Sequence, residues 1–223
     1  MPNWCDNQVT ITGPNSVIDK IEKIVKEENN NAENGLLQFF HPMPKELLDT
    51  EAGPIAKTKA EKNARQSRKL EFGAENWYDW RVNNWQTKWE VCEFYGVDRQ
   101  HLNDSLDESM ISFSFSSAWA PPTGAYEQFL IDNEDCSLKA YFYEGGCDFM
   151  GEWNNGSDDT YAPSDYKSTD DFWQDGVGST LDDLFNITES MAEYEAEMEE
   201  EKKLNEDVYK YSKGEKVNIG EEA

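Results

Sequence analysis

The sequence has no long apolar run. No stretch approaches the roughly 18 residues that a membrane span requires, and the mean hydropathy is −0.86. Basic residues are scarce, 20 against 46 acidic, giving a net charge of −26. Such a chain repels nucleic-acid backbone and anionic membrane at long range, which disfavours direct nucleic-acid binding and favours basic partners or cations. Close cysteine pairs are missing as well. Cys5, Cys92, Cys136 and Cys147 are scattered, with no C-x-x-C spacing, and the two histidines, His41 and His101, stand apart from them. Zinc motifs usually bring their ligands in close pairs, so a site from these four and a histidine is the weaker reading. Reduced thiols in or near a core are expected, with no metal and no cofactor. The opening Met1-Pro-Asn-Trp-Cys-Asp is polar at once and reads as no secretory leader, from which a cytoplasmic location is expected.

Tryptophan, by contrast, is abundant. Eight Trp and an aromatic share of 13% give 223 residues ample material for a core despite the charge. All but Trp173 fall in or near four compact signatures: Met1-Pro-Asn-Trp-Cys, Asn84-Trp-Gln-Thr-Lys-Trp, Ala118-Trp-Ala-Pro-Pro and Tyr143-Glu-Gly-Gly-Cys-Asp-Phe-Met-Gly-Glu. Each buried indole N–H needs a partner as well as a fitted cavity, so such clusters imply a specific packed assembly.

Between the signatures the pattern alternates strands and helices. Asn7–Thr12 alternates with Val9 and Ile11 on one face and predicts a strand. Asn15 or Ser16 is positioned to cap a helix carrying Val17, Ile18, Ile21, Ile24 and Val25. Leu36–Phe40 is expected as a second strand. Residues 51–73 hold a basic island, Lys57, Lys59, Lys62, Arg65, Arg68 and Lys69, with few apolar anchors, and predict an exposed loop or a solvated helix. The segment around Trp77, Trp80 and Trp85 is expected to be helical and to turn into a strand near Trp89–Tyr95. Met110–Ser116 is the cleanest strand, with Ile111, Phe113 and Phe115 on one face. Ala125–Ile131 predicts a short helix, and Leu138–Tyr143 with Phe149–Trp153 a hairpin turning at Gly145-Gly146. Asn154–Asp171 reads as a loop. Beyond it, Ile187, Met191, Tyr194 and Met198 recur at helical steps among many glutamates. They form a stripe suited to docking on a partner or to self-association, and a frayed tail is expected after Lys202-Lys203.

Chemistry is concentrated in the signatures. Asn84, Trp85, Lys88 and Trp89 place hydrogen-bonding groups and a cation among indoles, the composition of a polar ligand pocket or partner surface. The plainer reading of the same residues is core packing with Lys88 snorkelling outward. Trp119 lies on a loop after a strand, a frequent ligand site. Glu144 and Asp148 would serve as acid and base only if burial separated their pKa values. The aspartates after them lack the spacing of a calcium loop.

Taken together, the four signatures resemble the Api92-like family (the DUF1281 group) of bacteriophage and mobile-element proteins, over roughly residues 1–155. Where the family pattern has Asn-Trp-Gly-Thr-Lys-Trp, Gln86 replaces the glycine; Ser117-Ala-Trp-Ala-Pro-Pro stands for its Thr-Ala-Trp-Ser-Pro-Pro. The resemblance implies a ferredoxin-like α+β portion and a phage or plasmid origin, and no established activity. The expected architecture is therefore α+β: an antiparallel sheet with helices mainly on one face in residues 1–155, with the basic insertion near 51–73. An acidic loop and C-terminal helical arm follow in residues 156–223. Three functions are open on this basis. The first is a non-enzymatic accessory protein that binds a host or phage protein, with oligomerisation through the C-terminal helix. The second is an acidic nucleic-acid mimic that inhibits a host nuclease or defence enzyme. The third is a small-ligand-binding protein or enzyme that uses the Trp/Lys cluster.

Overall fold

The computed structural model describes residues 3–27, 34–53, 58–103, 107–166, 168–174 and 176–212. The elements run β1 (Trp4–Pro14), α1 (Asn15–Lys26), α2 (Leu36–Phe40), α3 (Lys45–Leu48), α4 (Lys59–Phe72), α5 (Trp77–Asn84), β2 (Cys92–Asn103), β3 (Glu108–Ala118), α6 (Thr123–Asp132), β4 (Ser137–Glu144), β5 (Phe149–Asn154) and β6 (Ser157–Tyr161). After a 3-10 turn at Pro163–Asp165 come α7 (Thr169–Gln174), α8 (Gly176–Phe185) and α9 (Ile187–Ser212). The chain divides into two compact units, Met1–Asp165 and Tyr166–Ala223. Among the described residues no helix is long and apolar enough to cross a membrane.

The first unit is α+β, as expected. Its six strands form one sheet in the order β2-β3-β1-β4-β5-β6, and every neighbouring pair is antiparallel. Alternation decides which face is covered. Val9 and Ile11 of β1, opposite Phe113 and Ile111 of β3, are buried together with Ile18, Ile21 and Val25 of α1. The intervening residues Gln8, Thr10 and Ser112 line the other face, which stays polar because strand side chains alternate. Asn15 does not cap α1; its side chain instead reaches Asp107, Ser109 and Arg99, and Arg99 also binds Asp19 and Glu22 of the helix.

Three sequence expectations need correction. Leu36–Phe40 is a helix, not a strand, and it buries Leu36, Leu37 and Phe40. A short apolar run fits either element, and a distant carboxylate decides between them. Glu90 accepts hydrogen bonds from the Leu37 N–H at 2.7 Å and the Gln38 N–H at 3.1 Å, satisfying two donors at the helix start. Gly35 leaves room for this carboxylate, since a Cβ there would sit 2.1 Å from Glu90 Cδ and displace it. Asn154–Asp171, expected as a loop, contains β6, which pairs with β5 across a turn at Asn155 (φ 48°) and Gly156 (φ 93°). Finally, α9 continues past Lys202-Lys203 to Ser212, because the Glu, Lys and Leu there are good helix formers. The tail from 213 onward lies outside the described residues. The basic island is α4, with no buried residue, so the solvated-helix alternative is the observed one; Lys57 lies outside the described residues.

Burial pushes the Glu90 carboxyl up to about 7, against the pull of its backbone donors and the Arg81 guanidinium. The folded value lies above the unfolded value of about 4.3. Its contribution to stability is therefore complete below that value and is lost as pH rises through the folded one. In urea unfolding, the wild type should lose stability between about pH 5 and about pH 7.5. Glu90→Gln should remove that slope, whereas Glu90→Ala should cost about 1–3 kcal/mol by stranding the Leu37 and Gln38 donors.

Candidate functional site

All four signatures meet at one end of the sheet, the end where β1 begins and β3 finishes. The register places Trp4 opposite Ala118 and Cys5 opposite Ser117. Asn3 then joins two signatures: its carbonyl accepts from the Trp119 N–H at 3.0 Å, and its side-chain amide reaches Cys147 Sγ at 3.5 Å. The Thr87 hydroxyl donates to the Ala118 carbonyl at 2.7 Å, tying the Asn84–Trp89 segment to the end of β3. The Trp4 and Trp89 rings lie 6.1 Å apart.

A buried relay underpins this junction. The Asn7 side-chain amide donates to the Cys5 carbonyl and to Ser117 Oγ, both at 2.8 Å, and Ser117 Oγ donates to the Ala120 carbonyl at 2.8 Å. Asn7 and Ser117 are fully buried, so these bonds are not exchanged for water. They hold the turn that carries Trp119, whose backbone is left-handed at φ +74°. That conformation costs a non-glycine residue roughly 1–2 kcal/mol. The indole it presents is nevertheless 47% exposed. Gln86 is also left-handed, at φ +65°, the position where the resembled pattern carries glycine. Its side-chain oxygen accepts from the Thr123 hydroxyl at 2.6 Å, which ties the strained turn to the start of α6.

The sequence-derived site residues separate into two groups. Trp85 is fully buried; its Nε1–H donates to the His41 carbonyl at 2.8 Å, and the Arg81 guanidinium lies 4.7 Å from its ring centre. Asn84 donates to the Trp80 carbonyl. Glu144 is buried and accepts from the Gly146 and Cys147 N–H groups, closing the β4–β5 turn, while Asp148 accepts from the N–H and hydroxyl of Ser164. Glu144 is thus a turn-holding group, Asp148 ties the β4–β5 turn to Ser164, and neither carboxylate lies within 4.0 Å of Lys88 Nζ. Cys147, expected in or near a core, is exposed, and the neighbouring Glu144 pushes its thiol up. Cys5 is buried, and burial raises its thiol well above the usual range.

The second group forms an open rim. Trp4 is 43% exposed and Tyr78 38%. Lys88 Nζ sits 4.5 Å from the Trp89 ring centre and 5.8 Å from that of Tyr78. Beneath the rim lies a cavity of about 660 Å³ lined by residues of the 52–53 segment, α4 and α5, with Lys88 in its wall. Tyr78, Trp77 and Trp4 were not among the residues singled out for the site. Their signal is present in the aromatic density of Asn76–Trp80 and in the first signature. In the second unit, Ile187 is buried, Met198 is 47% exposed, and Leu204, Val208 and Tyr209 extend the exposed apolar positions of α9. Met191 is half-buried, and the Tyr194 side chain lies outside the described residues.

Ser117→Ala should cost about 1–2 kcal/mol in urea unfolding, because the Ala120 carbonyl loses its donor and the Asn7 amide loses one of two short acceptors. The indole N–H resonance of Trp119 should shift in the same variant, while that of Trp153, on the strand β5, should stay in place.

No protein-family model matches the sequence, and no curated protein matches it. Among solved structures, the chain is similar to the protein Api92 from Yersinia pseudotuberculosis, of the family DUF1281. The identity is 10% and the TM-score 0.36, over 73% of this chain and 98% of that one. A likeness this faint transfers neither family membership nor function.

Proposed function

We propose that this chain is a non-enzymatic binding module, an accessory protein of the phage and mobile-element kind that engages a host or phage protein in the host cytoplasm. The motif resemblance motivates the setting. The observation that carries the binding role is the rim itself: Trp4, Tyr78, Lys88, Trp89 and Trp119 stand at one end of the sheet. Three exposed aromatics, Trp4, Tyr78 and Trp119, with the half-buried Trp89 and a long cation beside them, have the composition of an interaction hot spot. Trp119 adds weight, since its strained backbone holds the indole outward rather than in the core.

The acidic-mimic reading is a second possibility, with one observation in its favour. The first unit alone has 29 acidic against 14 basic residues, a net −15, and the second 17 against 6, a net −11. The charge excess therefore belongs to the folded body as well as to the C-terminal part. Against uniform mimicry stands α4, which gathers five basic residues on one solvated helix.

Affinity capture from host lysate with the full chain should recover a specific partner, and Trp4→Ala with Trp89→Ala should abolish its recovery. Trp119→Gly should also lose the partner while leaving stability equal or higher by up to about 1 kcal/mol, since glycine adopts the left-handed backbone freely. Capture that survives all three substitutions would refute the rim. A partner held through the rim should persist at high salt, whereas one held by mimicry should be released.

A further inference from the structure

The cavity beneath the rim contains four charged side chains, and three of them are already engaged. Arg65 donates to Glu61 at 2.9 Å and to the Gly53 carbonyl at 2.6 Å. Glu75 lies between Arg65 at 4.0 Å and Lys69 at 3.8 Å. Asp79 accepts from the Asn76 side chain at 2.7 Å and sits in the first turn of α5, where the helix dipole favours a negative charge. Lys88 is different. Among the described residues no carboxylate lies within 4.0 Å of its Nζ and no oxygen accepts its protons. The rings of Trp89 and Tyr78 fix the position of the ammonium electrostatically, but they satisfy none of its three N–H donors as an oxygen would. In a chain with 46 acidic residues, this cation lines a cavity and, among the described residues, has no anion beside it.

We propose that Lys88 anchors a carboxylate-binding site in this cavity, taking a singly charged acid group borne on a flat apolar body that packs against Trp77 and Tyr78. The inference rests on the binding-module reading and names the chemistry of its site. A monoanion suits the site better than a phosphate dianion, because Glu75 and Asp79 share the cavity and repel a second negative charge. The volume of about 660 Å³ falls within the range of small-ligand sites and admits a ring-bearing acid or the last residues of a peptide chain. The carboxylate is common to both sources, a small-molecule acid and the C-terminus of a partner chain.

The test uses the full chain labelled with ¹⁵N, with the indole N–H signals of Trp77 and Trp89 as reporters. The probes are benzoate, benzamide, acetyl-Gly-Phe with a free C-terminus, and the same dipeptide amidated. The expected result is a saturable shift of both indoles by at least one acid, with its amide weaker by about tenfold or more. Lys88→Met keeps the apolar stem and should lose the preference for acid over amide, and Lys88→Arg should retain part of it. Tighter binding of benzoate assigns the site to small acids, and tighter binding of the dipeptide assigns it to chain ends. Acids that shift neither indole, acids and amides that bind equally, or a preference that survives Lys88→Met would each overturn the proposal. Loss of partner capture by Trp4→Ala with Trp89→Ala, alongside a wild-type chain that shows no preference for acid over amide, would leave the rim standing and remove this inference alone.

Discussion

The pairing of β1 with β3, locked at its end by the Asn7–Ser117–Ala120 relay, is the constraint on which the candidate site depends. It fixes Trp4 opposite Ala118, and from that register the remaining junctions follow: Asn3 with Trp119, Asn3 with Cys147, and Thr87 with the Ala118 carbonyl. A slip of one residue would turn Val9 and Ile11 to the polar face and exchange them for Gln8 and Thr10. The hydrophobic alternation that builds the core therefore also assembles the rim. Asn7 contributes at both levels, since its buried amide N–H groups donate to the Cys5 carbonyl and to Ser117 Oγ, which in turn holds the Ala120 carbonyl beyond Trp119.

The tryptophans divide their labour by depth. Trp80 and Trp85 are buried, stacked edge to face, and Trp85 is anchored through His41. Trp4, Trp89 and Trp119 stand higher, and Lys88 lies over one of them. Burial of the first pair makes α5 a firm base. Exposure of Trp4 and Trp119, with Trp89 half-buried, leaves apolar area that a monomer has little reason to display. The chain's net charge of −26 repels like-charged surfaces over a longer range, while Lys88 leaves a local cation beside the indoles.

Much of the sheet was legible in the sequence, because alternation at Asn7–Thr12 and Met110–Ser116 records directly which face is buried. α1 and the β4–β5 hairpin were legible for similar reasons. Leu36–Phe40 was not, since its helical state depends on Glu90, more than fifty residues away in sequence, capping its first N–H groups. β6 was missed although its turn was written as Asn155-Gly156, the residue pair that two-residue hairpins favour. Its polar sequence Ser-Asp-Asp-Thr-Tyr suits an edge strand with little to bury. Of the site, the signatures drew attention to the right segments but could not tell buried from exposed indoles. Trp85 follows the plainer core-packing reading and Glu144, read as a solvated turn acid, is buried, while Trp4 and Tyr78, which the patterns did not single out, stand open. That distinction is set by tertiary packing, which periodicity does not encode.

The central claim is that the four signatures form a single surface. The most direct measurement is a nuclear Overhauser spectrum of the full chain with assigned aromatic and side-chain amide protons. The account predicts cross-peaks between the Trp4 and Trp89 rings, and between the Asn3 side-chain amide and the Cys147 β-protons, in the same sample. Absence of both, in a protein that retains the Val9–Phe113 cross-peaks of the core, would contradict it.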